Sequence, residues 1–444
     1  MPLTEYKGFC GPTYQGRSNA IATDRCINFY PEAHELGDGK NEIHLIGTPG
    51  LKKLWTTGKN EPIREICTIG AKRILFAGYD TLYEVDVYTG AISELGKIAP
   101  DNDWEGLAPV TFAWNGVQYM ISSGGHGYIL EDTTLTEVLE ADHIAYLDGC
   151  FCSIRKGDKQ VRFSELYDGL TWDPLMFKEK ESARDYPTAL VADHGELFVL
   201  GEQSSEVWYF SGAQDVPFDR RPEGRLELGC AAGWSPAKLD NSLFWIGADV
   251  RGNRVVWRAE GYQAKRISNH AIEYHLNKII PKQAGAGIDA SGTTFALGWA
   301  YQEEGHSFYC ITFPNPPKKY SQVTKQENKT AFLYDAATGF WHERAYWNPH
   351  TGLYEVPRQR CHAYIWDHHL VGDRENGTIY EQHLDYYDDA GDRIRRERTG
   401  PVVWSGGKQQ FFSSFHLEMD VAVGLGVIDS DLYGPDMFGK EYKP

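Results

Sequence analysis

The reactive side chains of this 444-residue sequence do not gather into a recognisable site. Acid–base cleavage of a glycosidic bond needs two carboxylates facing each other across the sugar. Glu202 and Glu206 illustrate such a pair, but 62 acidic residues are present and no spacing singles these two out. Arg220-Arg221 and Arg395-Arg396 could hold a ligand carboxylate, although solvated surface charge accounts for both. Cys150 and Cys152 project to one face of a strand, yet no second pair and no histidine is spaced to complete a zinc site. His368-His369 falls in an expected turn, and neighbours on a strand point apart. Ser122-Ser123-Gly124-Gly125-His126-Gly127 and Gly406-Gly407-Lys408 are glycine-rich but lack the remainder of a phosphate loop. There is no Gly-x-Ser-x-Gly nucleophile elbow. The sequence therefore gives no catalytic, metal or cofactor-binding residues, and a non-enzymatic role is expected. What it does describe is a scaffold.

One local motif speaks to that scaffold. Tyr167-Asp168-Gly169-Leu170-Thr171-Trp172 resembles the Asp-box of sialidase propellers, S-x-D-x-G-x-T-W, with the glycine displaced to follow the aspartate directly. Asp-boxes are structural turns, so the resemblance implies a β-hairpin turn and not an activity. Asp-Gly would supply the turn conformation, and Trp172 would anchor it in a sheet.

Composition agrees with short strands and tight turns. Aromatic residues make up 13% of the chain, 46 residues are glycine, and helical periodicity is almost absent. Residues 269 to 280 are the best helix candidate. A net charge of −18 disfavours tight binding to nucleic acid and to anionic membranes. No apolar run approaches membrane-spanning length, and the N-terminus lacks the pattern of a signal peptide. Eight scattered cysteines without a CxxC pair read as reduced thiols of a chain made in a cytoplasm.

Short apolar strand pairs recur behind small polar turns near residues 72, 115, 148, 194, 240, 304 and 367. A strand-only period of roughly 40 to 50 residues is that of β-propeller blades. Leu243-Phe244-Trp245-Ile246 is apolar on both faces, so the strand must be covered on both sides. Blades stacked face to face supply that cover. An irregular β-sandwich is the other all-β reading. The expected organisation is all-β: a propeller of about six to seven blades over residues 61–395, with β extensions at both ends. An N-terminal arm, 1–60, carries a strand at 42–46 that would pair with the last repeat around 363–380 and close the ring. Loop-like inserts are expected at 278–292 and 314–329, and a C-terminal segment, 396–444, holds a strand at 411–423 and an acidic tail.

Several long segments carry a family resemblance. They include Thr23-Asp24-Arg25-Cys26-Ile27-Asn28-Phe29-Tyr30-Pro31-Glu32, Gly47-Thr48-Pro49-Gly50-Leu51, Leu200 to Tyr209, Ala237 to Trp245, Arg266 to Glu273 and Leu370 to Gly377. In order and wording, from about residue 12 to about 425, the chain resembles the tail-hub, or packaged DNA stabilization, proteins of short-tailed bacteriophages. The resemblance implies a virion protein of the head-completion and tail machine, related to six-fold nozzle rings with a propeller domain. It implies a homohexameric ring below the portal and its adaptor protein, near tail needle and tail fibre or tailspike proteins. Such a ring keeps packaged DNA in the head and forms part of the channel for its ejection, without binding it tightly. Asp431 to Pro444 departs from the family, so a reduced or rearranged final sheet is expected. A propeller-type phage glycosidase, or a receptor-binding propeller, is the alternative.

Overall fold

The structure is a computed structural model. It describes residues 6–404, except 7, 19–21, 35–42, 71–72, 101–107, 184, 214, 249–251, 280–295 and 314–329, together with 406, 411–412, 414 and 416–419. Almost all regular structure among these residues is β.

Five four-stranded antiparallel sheets follow one another in chain order, each a simple meander. Sheet I spans Glu65–Cys67 to Ile92–Lys97, sheet II Thr111–Trp114 to Thr134–Glu140, and sheet III His143–Leu147 to Phe177–Glu179. Sheet IV spans Pro187–Asp193 to Phe218–Leu226, and sheet V Ala237–Leu239 to Gln263–Arg266. Sheet VI begins with the meander Leu297–Glu303, His306–Thr312, Ala331–Asp335 and Trp341–Arg344, then gains Thr23–Ile27, Tyr14–Gln15 and Glu397–Thr399 from the chain ends. Sheet VII is built from Gln359–Ile365, His368–Asp373 and Thr378–His383, with Gly50–Thr56 as fourth strand and a small hairpin beyond it. Each repeat read in the sequence falls on the second and third strands of one sheet.

The turn chemistry explains the hairpins. Asp148-Gly149, His194-Gly195, Asp240-Asn241, Glu304-Gly305 and Trp366-Asp367 all take positive φ at both positions. That is the conformation matching the right-handed twist of the flanking strands.

The core lies between sheets. Apolar clusters join I to II through Leu75, Ile121 and Leu130, and III to IV through Phe163, Trp208 and Phe218. In sheet V the doubly apolar strand divides its side chains as expected. Leu243 and Trp245 face Phe198 and Val207 of sheet IV, while Phe244 and Ile246 face Tyr309, Phe332 and Trp341 of sheet VI. Sheet VII packs Cys361, Ala363 and Leu370 on Ile66, Ile74 and Phe76 of sheet I, which closes the circle. The architecture is a β-propeller.

Two expectations need correction. The strand Ile43–Gly47 does not pair with the last repeat; it forms a separate hairpin with Phe29–Ala33. Closure falls to Gly50–Thr56, which runs antiparallel to Thr378–His383. Lys52-Lys53 interrupts its apolar pattern: Lys53 is exposed and Lys52 partly so, while Leu51, Leu54 and Trp55 pack inward. Of the expected strand at 411–423, residues 411, 412, 414 and 416–419 are in no strand, and 413, 415 and 420–423 lie outside the described residues. The inserts at 278–292 and 314–329 fall largely, and Asp431 to Pro444 entirely, outside the described residues.

The helix, α1 (His270–Ile279), forms where expected. Asn269 caps it, its side-chain oxygen accepting the Ile272 amide at 2.9 Å.

Candidate functional site

The motif around Asp168 lies in the loop between the last two strands of sheet III. The Asp168 carboxylate accepts the Thr171 hydroxyl at 2.7 Å and the Leu170 amide at 2.8 Å. These donors, the hydroxyl first, hold its pKa below the usual carboxylate value. The turn differs from the expected Asp-Gly hairpin: the positive φ, 61°, belongs to Tyr167. Gly169 is needed for space instead. A Cβ there would lie 2.5 Å from Ile129 Cδ1 and 2.9 Å from Phe151 Cε2, while its amide donates to Gln118 Oε1 at 2.8 Å.

Trp172 is half-buried against the cluster of Met120, Ile144 and Phe151, and its indole donates to Gly169 O at 2.8 Å. Trp172→Ala is expected to cost about 2 kcal/mol, roughly half the loss for a fully buried ring. Chemical denaturation checks this; an unchanged midpoint would mean the ring supports nothing in the fold.

The other sequence candidates resolve into structural roles. Glu206 is buried; its carboxylate accepts the Glu181 amide at 2.9 Å, the Ser182 amide, and the Trp208 indole at 2.8 Å. Burial would raise its pKa, but these donors bring it below the usual value. A carboxylate so occupied has no free oxygen for acid–base work. Arg220 pairs with Glu181 at 3.4 Å, and Arg221 with Glu196 at 2.7 Å while lying 4.3 Å from the Tyr209 ring centroid. Arg395 lies over Trp347 at 4.2 Å, whereas burial depresses the Arg396 guanidinium. Neither pair forms a clamp.

Cys150 and Cys152 share one buried face as expected, and burial pushes the Cys150 thiol up to about 11. All eight cysteines are free thiols. His368-His369 opens a strand and is not in the turn, which is made by Trp366 and Asp367. The two histidines do point apart: His368 meets Glu381 at 2.6 Å, and His369 meets His362 at 2.9 Å. Gly124-Gly125 forms the tight turn of a hairpin, both with positive φ. Among the described residues, no group of three or more His, Cys, Asp or Glu is placed to hold a metal. No helix among them is long and apolar enough to cross a membrane.

Two cavities that sequence reading missed lie along the first strands of the sheets. One, of about 130 Å³, is lined by Arg64, Glu65, His143, Trp234 and Arg360 among others. Arg64 is tied to Ala108 O at 2.6 Å and to Ser123 Oγ at 2.9 Å. Burial pushes Glu65 up to about 8 and His143 down to about 3, and His143 stacks on Trp234 at 4.1 Å. The other is a cleft of about 730 Å³ formed where the first turns of sheets IV to VII converge. Its residues come from four separate repeats, so no local motif could announce it.

A ring of antiparallel sheets, with Glu206 saturated by its donors and no metal cluster among the described residues, defines a propeller scaffold. The chain belongs to the family described as Bacteriophage P22 Gp10, beta-propeller, whose model matches residues 26–386. This bears out the resemblance to the phage tail-hub and DNA stabilization proteins and makes the chain a structural phage protein. No curated protein matches the sequence. Among solved structures, the chain is similar to a catalytically inactive virginiamycin B lyase from Staphylococcus aureus, with 10% identity, TM-score 0.46, and coverage of 75% of this chain and 99% of the lyase. It is also similar to BamB from Moraxella catarrhalis, with 9% identity, TM-score 0.41, and coverage of 72% and 83%. A third is the computationally designed Ika8 protein, with 12% identity, TM-score 0.37, and coverage of 75% and 100%.

Proposed function

We propose that this chain is a subunit of a six-membered ring in the tail of a short-tailed bacteriophage, below the portal and its adaptor protein. There it retains packaged DNA and lines the exit channel. The family match over residues 26–386 carries this reading. In it, sheets I to VII are seven blades, the tail needle and tail fibre or tailspike proteins are neighbours, and the chain passes from the host cytoplasm into the virion.

Two features of the molecule support the assembly. The C-terminal segment leaves Trp404, Phe411, Phe412 and Met419 exposed, at 77%, 85%, 73% and 65%, which suits burial against another subunit. The net charge of −18 suits a conduit, because an acidic protein does not grip phosphates.

The test is DNA retention. Phage lacking this protein are expected to package DNA and then lose it, and adding purified protein to freshly filled heads restores retention. The measurement is DNA content of purified heads with and without added protein. Mutant heads that keep their DNA but fail to adsorb would overturn this reading in favour of receptor binding. Release of sugar from host polysaccharide by the isolated chain would favour a glycosidase.

A further inference from the structure

The cleft formed by sheets IV to VII has a lopsided charge. Asp193, Asp240, Glu303, Glu304 and Asp367 line it with one ammonium, Lys238; Asp240 is paired with Arg258 at 2.9 Å and Asp193 with His194 at 2.7 Å, which leaves Glu303, Glu304 and Asp367 to set the field. The neighbouring histidines do not redress the balance. Burial holds His362 down at about 3, and burial likewise lowers His369. Clefts lined by one sign of charge focus the field and concentrate ions of the opposite sign.

Acidity alone does not make a site, but two further atoms point to an occupant. The Tyr301 hydroxyl is buried, its residue only 2% exposed, and finds no hydrogen-bond partner. Glu303 uses one oxygen to accept the Leu384 amide at 3.1 Å, while its other oxygen, Oε2, is buried and unpartnered. Both residues line the cleft. Buried polar atoms without partners are rare and call for an explanation. A phenol can donate or accept, whereas an ionised carboxylate oxygen only accepts. A ligand with N–H donors satisfies both atoms; an anionic ligand satisfies neither carboxylate oxygen nor the field.

Aromatic walls extend the argument. The Tyr301 ring packs at 5.9 Å from His362 and 6.0 Å from His369, and Tyr364 stands beside them at the mouth. The half-exposed Tyr364 ring can accept an alkyl chain or a cation on its face. A cleft of about 730 Å³ holds an extended chain. Burial raises the Glu303 carboxyl to about 7, so a neighbouring ammonium would keep it ionised.

We propose that this cleft binds a linear aliphatic polyamine, one ammonium on Glu303 and Tyr301 and another on the acidic rim at Asp367. The proposal stands on the cleft itself and is independent of the tail assignment.

Spermidine is the probe, titrated calorimetrically into the full-length protein at neutral pH and moderate salt. Saturable binding at one site per chain is expected. Glu303→Gln/Asp367→Asn should weaken it at least tenfold, with an unchanged thermal melt showing that the fold persists. Glu131→Gln/Glu140→Gln, which removes two exposed carboxylates elsewhere, should bind as the parent does. Equal weakening in both variants would overturn the proposal, because net charge would then explain everything. Displacement of spermidine by equimolar Mg²⁺ would also overturn it, as the mark of a generic counterion. Absence of saturation, or saturable binding of a neutral oligosaccharide in preference to spermidine, would do the same.

Discussion

Replacing Lys180 with methionine is expected to cost about 3–5 kcal/mol of stability at neutral pH. Lys180 and Asp185 are 2% and 3% exposed and form a buried ion pair. The ammonium also donates to Ser204 Oγ at 2.6 Å, while the carboxylate accepts the amides of Gln203 at 2.8 Å and Ser204 at 3.0 Å. Removing the ammonium leaves a buried carboxylate whose remaining donors are neutral. Burial alone would raise the Asp185 pKa, but Lys180 and the Gln203 amide bring it below its usual value. A carboxyl depressed in the folded state contributes stability above its unfolded pKa of about 3.9, and that stability is lost as pH falls through the folded value. In Lys180→Met the carboxyl can escape its penalty by taking a proton. The gap between parent and variant should therefore narrow on acidification from pH 7 to pH 4. Lys180→Met/Asp185→Leu should recover much of the loss, since removing both charges leaves none unpaired. Denaturant unfolding at the two pH values measures all three. A loss below about 1 kcal/mol at neutral pH would mean that water reaches the pair.

The repeated strand pairs were legible because a blade writes its burial into the local sequence. Phe244 and Trp245 cannot both be covered by a one-sided sheet, and the structure covers them from two neighbours. The turn residues Asp148-Gly149 and Asp240-Asn241 likewise announced their conformation. Less legible were features set by distant parts of the chain. Gly50–Thr56 carries a weak local signal because its alternation is broken by Lys52-Lys53, and its partner lies more than 300 residues away. Gly169 looked like a turn glycine, but its role depends on Phe151 and Ile129, which sequence does not place beside it. The acidic cleft depends still more on closure. Asp193, Asp240, Glu303 and Asp367 are ordinary turn-proximal acids in their own repeats and meet only when the sheets form a ring.

That dependence gives a second large effect: a chain lacking residues 1–56 is expected not to reach a soluble folded state. Gly50–Thr56 pairs along Thr378–His383 from Leu51↔Gln382 to Thr56↔Thr378. Leu51 is 1% exposed, and Leu54 and Trp55 pack on the cluster containing Phe76, Tyr83, Leu370 and Ile379. Thr23–Ile27 lies beside Trp341–Arg344 in sheet VI, where Arg25 forms a 2.6 Å ion pair with the buried Glu343. Losing one buried Leu or Trp costs about 2–5 kcal/mol. Losing several, with a strand and a buried ion pair, exceeds the 5–15 kcal/mol that stabilises a typical protein. The truncation also bares the edge of Thr378–His383, a template for pairing with other chains. Aggregation during refolding is thus the expected fate. Because the missing strand is joined mainly by sheet pairing, a peptide spanning residues 23–60, added during refolding, should restore a soluble monomer fraction. The same peptide with Leu51→Asp should not. Size-exclusion profiles and the cooperativity of thermal melting read the outcome. A truncated chain that elutes as a monomer and melts within a few degrees of the full protein would show that sheet VII holds without its N-terminal strand, and that the ring is closed by sheet-to-sheet packing alone.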